Sequence, residues 1–90
     1  MRAITARYLT AHEALWRSTA DEFAAGIEDE TPEFLRLNRA AHEAAEGLPR
    51  WRQLALNRRL VRKLQREGFG FCRCGSALLG PGQSHPGVCE

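Results

Sequence analysis

Four residues near the C-terminus carry side chains able to bind a soft metal ion: Cys72, Cys74, His85 and Cys89. They include every cysteine of the chain, in the arrangement Cys-x-Cys-x10-His-x3-Cys. Three thiolates and an imidazole form a Cys3His set suited to tetrahedral zinc, a d10 ion with no redox chemistry of its own. Four protein donors fill the coordination sphere, so the role expected for one zinc per chain is structural. In small sites the binding free energy, on the order of 10 kcal/mol or more, becomes folding free energy.

The donor order Cys, Cys, His, Cys is that of zinc knuckles, but here one residue instead of two separates the first pair and the central gap is longer. Only the ligand chemistry is shared. Other uses of the same residues stay open. An iron–sulfur cluster could take these donors. The thiols could also be uncoordinated, or could be reagents, as in a sulfur carrier or a precursor peptide modified near its C-terminus. An odd number of cysteines beside a histidine argues against a disulfide framework.

The sequence offers no nucleophile and base pair, phosphate loop or paired carboxylates, so a non-enzymatic protein is expected. His12 and His42 each adjoin a glutamate, Glu13 and Glu43. Adjacent helical positions point in different directions, so neither pair is a catalytic dyad.

A second feature is the run RWRQLALNRRLVRKLQR at residues 50–66. Arg58, Arg59, Arg62, Lys63 and Arg66, with Arg73 between the first two thiols, form a candidate contact face for nucleic acid or an acidic protein surface. Arginines neutralise phosphates with release of counterions and can read guanine edges in a major groove. Residues 49–73 hold eight basic groups and one acidic, whereas residues 21–48 hold two basic and eight acidic. The net charge of +2 therefore conceals a dipolar chain. A bland alternative is that Glu33, Glu43 and Glu46 lie beside the basic helix and absorb its charge in weak surface pairs.

The elements that must position these residues are helical. Ile4, Tyr8, Ala11, Leu15, Trp16, Thr19 and Phe23 recur at three- and four-residue intervals, predicting a first helix over residues 3–25 that stops at Gly26. Thr31 as N-cap and Pro32 at the first helical position open a second, carrying Phe34, Leu37, Ala41, Ala44 and Leu48 to a stop near Gly47. Pro49 opens a third, with Trp51, Leu54, Leu56, Leu60, Val61 and Leu64, up to Gly68. Short connections make neighbours antiparallel. Trp16, Phe23, Phe34 and Trp51 are expected in the core, and Phe69 and Phe71 are expected to cover the zinc site, the alternative being a stacking surface for a base.

Ninety residues suit one domain with a modest core. No apolar run approaches the roughly 18 residues of a membrane span. The N-terminal MRAITARYLTAHEALWR lacks the apolar segment of a secretory signal, which points to the cytoplasm. The expectation is an all-α fold: a three-helix domain over residues 1–68, with an irregular Cys3His zinc-binding tail over residues 69–90 packed on it as one folding unit. Its expected task is nucleic-acid binding or regulation as an accessory protein. The alternatives are a protein-interaction factor with purely structural zinc and a thiol-based participant in a biosynthetic pathway. A homo-oligomer is compatible with either charge lobe.

Overall fold

A computed structural model of the chain describes residues 3–72 and 78–83. Three helices dominate: α1 (Ala3–Ala24), α2 (Pro32–Ala45) and α3 (Arg50–Arg66). A two-stranded antiparallel hairpin follows, β1 (Gly70–Phe71) with β2 (Leu78–Leu79), pairing Gly70 with Leu79 and Phe71 with Leu78. The helices agree with the sequence expectation, and the hairpin was not anticipated. Strands of two residues are too short to show an alternating pattern.

Local chemistry explains the helix ends. Ile27 N–H donates to Glu22 C=O and Gly26 N–H to Phe23 C=O, while Phe69 N–H donates to Leu64 C=O and Gly68 N–H to Gln65 C=O. Both are Schellman closures, which need a residue at positive φ; Gly26 and Gly68 supply it at 78° and 102°. Between them, Thr31 caps α2 by accepting from Phe34 N–H at 3.0 Å, and its hydroxyl donates to Glu22 at 2.5 Å. The α1–α2 connection is thereby tied to the end of α1. Pro49 precedes α3 instead of lying inside it, and its carbonyl accepts from Arg52 and Gln53 N–H. The Gln53 side-chain amide donates to the carbonyls of Ala45 and Leu48, which joins the end of α2 to the start of α3.

α1 is the central element. Small side chains let α2 seat closely against it, Ala41 and Ala44 being almost fully buried. α3 packs along α1 in the same direction through Leu56, Leu60 and Leu64, all buried. The direction is fixed by a register of cross-links: Tyr8 to Asn57, Glu13 to Lys63 and Arg17 to Glu67. The hairpin rests on the C-terminal half of α1, where the Gln83 amide donates to Asp21 at 2.6 Å. Pro81 lies against Gly68, where a Cβ would come within 3.0 Å of its ring. Among the described residues no buried side-chain nitrogen or oxygen lacks a hydrogen-bond partner, and no helix is long and apolar enough to cross a membrane.

Candidate functional site

α3 has two solvent-facing sides of different character. The side toward α1 is a polar seam. The Glu13 carboxylate lies 2.7 Å from Lys63 Nζ and 2.9 Å from Arg17 Nε, and Arg17 reaches on to Glu67 at 2.7 Å. Hydrogen bonding from Lys63 holds the Glu13 carboxyl below its ordinary range, with Arg17 adding to the effect against a smaller opposing influence of burial. Glu67, then Glu13, push the Arg17 guanidinium up. The guanidinium also sits over the Phe69 ring, 5.3 Å from its centroid, a cation–π contact that links α1 to the start of the hairpin.

Further up the seam, the Tyr8 hydroxyl donates to Asn57 Oδ1 at 2.6 Å. Tyr8 is only 1% exposed, and burial pushes its phenol up despite that bond. The His12 ring stacks on Tyr8 with centroids 3.8 Å apart, and its Nδ1 lies 3.0 Å from the Tyr8 carbonyl oxygen. Donation from Nδ1–H leaves Nε2 as an acceptor in the neutral ring. Burial lowers the His12 pKa, the bond to Tyr8 opposes this, and His42 lowers it further. Neither histidine forms a dyad with its adjacent glutamate: Glu13 pairs with Lys63 and Arg17, and Glu43 approaches Arg7 at 4.0 Å.

The candidate contact face divides in two. Arg59, Lys63 and Arg66 border a depression with Leu9 and Glu13 of α1, whereas Arg58 and Arg62, adjacent on the helix surface, border a second one with Leu54 and Val61. Arg58, Arg59, Arg62 and Arg66 are exposed, and none enters an ion pair among the described residues. The acids of α2 do not neutralise them: Glu33 pairs with Arg36 on its own helix, and Glu43 lies toward Arg7 on α1. The acid that does meet α3 comes from α1. Self-neutralisation by α2 is therefore not what this fold does.

On the side toward α2 lies an apolar cleft of about 360 Å³. It is lined by Leu15, Trp16 and Thr19 of α1, Phe34 of α2 and Val61 and Leu64 of α3. Phe71 and Leu78 of the hairpin close one flank, with Phe71 63% exposed at the edge. Trp16 and Phe34, expected in the core, are half-buried cleft walls; Trp51, also expected there, is 67% exposed. At 100° per residue Trp51 and Leu54 point away from the Leu56, Leu60 and Leu64 stripe.

Of the proposed metal donors, Cys72 is half-buried directly after β1. Cys74, His85 and Cys89, and the contact residue Arg73, lie outside the described residues. Among the described residues no group of three or more His, Cys, Asp or Glu could hold a metal ion. The seam and the cleft are the features that sequence reasoning did not reach. No family model, curated protein or solved structure matches the chain.

Proposed function

We propose that this is a small non-enzymatic nucleic-acid-binding or regulatory module. In this reading α3 presents Arg58, Arg59, Arg62, Lys63 and Arg66, joined by Arg73, to a phosphate backbone, and one zinc ion bound by Cys72, Cys74, His85 and Cys89 fastens the C-terminal segment beside them. The observation that supports it best is the exposure of four α3 arginines without an ion pair among the described residues. A helix whose charge is not consumed by its own fold keeps it available for phosphates, and each neutralised phosphate makes affinity fall with salt.

Fluorescence anisotropy with short duplex DNA, single-stranded DNA and RNA tests the contact face. Binding should weaken linearly on a log–log plot against salt, with a slope of about −0.9 per duplex phosphate neutralised. Arg59→Glu with Arg62→Glu should abolish it; no binding to any of the three at low salt defeats the proposal. Elemental analysis tests the clasp separately, with one zinc per chain expected and chelation expected to lower stability. A metal-free protein that is fully folded removes zinc from the account while leaving the arginine face to be judged by its own assay.

A second reading, a protein-interaction factor, draws support from the apolar cleft with the exposed Phe71 at its edge.

A further inference from the structure

The apolar cleft is not isolated on the surface. At one end, through Val61, it runs into the depression bordered by Arg58 and Arg62. At the other, through Thr19 and Phe34, it runs into a depression bordered by Glu28, Asp29 and Glu30 of the α1–α2 connection. One continuous face therefore has an apolar middle, a basic end and an acidic end. Among the described residues none of these five charged groups is in an ion pair.

We infer that this face is the interface of a homodimer, with a second copy of the chain as its occupant. The charge arrangement selects that occupant. A two-fold axis lying in the plane of the face and crossing the cleft exchanges the two ends, so Arg58 and Arg62 of one copy meet Glu28, Asp29 and Glu30 of the other, twice. Interfaces of this symmetry are self-complementary and close at two subunits. The apolar middle of each copy then lies over that of its partner, and the exposed Phe71 ring at its flank is covered with it; aromatic side chains are over-represented among the residues that carry an interface's energy.

This inference does not depend on nucleic-acid binding. It takes Arg58 and Arg62 out of the nucleic-acid face of the proposed function and leaves Arg59, Lys63 and Arg66, which border a separate depression, present twice in the assembly.

The test is sedimentation velocity and light scattering on the full chain, with circular dichroism confirming the fold of each variant. The native protein should be a dimer at micromolar concentration. Phe71→Asp, at an exposed position, should make it monomeric, whereas Arg59→Glu should leave the dimer intact. Arg58→Glu with Arg62→Glu should raise the dissociation constant by about a hundredfold, because symmetry counts each new repulsion twice. Glu28→Lys, Asp29→Lys and Glu30→Lys together should do the same. Mixing these two charge-reversed proteins should restore a dimer of one chain of each, since every contact between them is again between opposite charges. A native protein that stays monomeric up to millimolar concentration overturns the inference, whether the cleft then holds another protein or a small apolar ligand. So does a dimer indifferent to Phe71→Asp, or charge-reversed proteins that fail to pair when mixed.

Discussion

Along its α1 side, α3 is fastened by a buried leucine row and by a ladder of polar links, Tyr8 to Asn57, Glu13 to Lys63 and Arg17 to Glu67. Along its α2 side the same helix faces an open cleft with scarcely a polar atom in its lining. One side has its hydrogen-bonding groups matched and its apolar groups covered. The other has apolar groups that nothing in the described chain covers. Fastening and uncovered apolar surface thus fall on different sides of one helix, and substitutions on the two sides should have separable effects.

The largest separation should appear between neighbours in the sequence. Leu60 is 2% exposed and packs toward α1, whereas Val61 lines the cleft. Leu60→Ala should cost about 2–5 kcal/mol by urea denaturation. Val61→Ala, which opens no enclosed cavity, should cost less than about 1 kcal/mol; equal losses would mean that the cleft is as much core as the seam. Tyr8→Phe should come next, at about 1–2 kcal/mol, because it leaves the Asn57 acceptor without its donor inside the fold. No loss would show that water replaces the hydroxyl.

Acidification should act through the seam in a defined window. The folded His12 pKa lies below the unfolded value of 6.5. Above pH 6.5 the ring is neutral in both states and its contribution is fully present; as pH falls below 6.5 the unfolded chain takes up the proton first, and stability declines until the folded pKa is passed. The Glu13 carboxyl, whose folded pKa also lies below its reference of 4.5, adds a further loss as pH falls below 4.5. Unfolding followed from pH 7.5 to 5 should therefore show a decline that His12→Gln flattens. The smallest effect should come from Lys63→Met, which removes an ion pair half exposed to solvent and should cost about 0.5 kcal/mol.

Much of the framework was legible in the sequence because it depends on local rules. Thr31 and Pro32 mark the start of α2, and Gly26 and Gly68 mark ends where only a residue tolerant of positive φ completes the closure. The neighbours of α3 were not legible, because charge content says nothing about direction: Glu33 and Glu43 are acidic, and both turn away from α3 toward Arg36 and Arg7. Trp51 reads as core by composition, and its angular position decides otherwise. The cleft depends on how far α2 and α3 diverge as they ride on α1, a tertiary property with no one-dimensional trace. The proposed zinc donors are the opposite case, a ligand set read from the sequence that, apart from Cys72, lies outside the described residues.

The links between α1 and α3 join residues 49 and 50 positions apart, an almost constant offset. Helices that run parallel with so long a connection cannot zip up locally; α2 must first double back on α1 before α3 finds its register. Contacts of this kind incur their loop-closure entropy before any of them forms, and they slow folding. The α1–α2 hairpin should therefore assemble early and α3 dock late, so that weakening the seam mainly speeds unfolding and leaves the folding rate nearly unchanged. The helix that carries the proposed contact arginines would then be the last to join the native structure and the first to leave it.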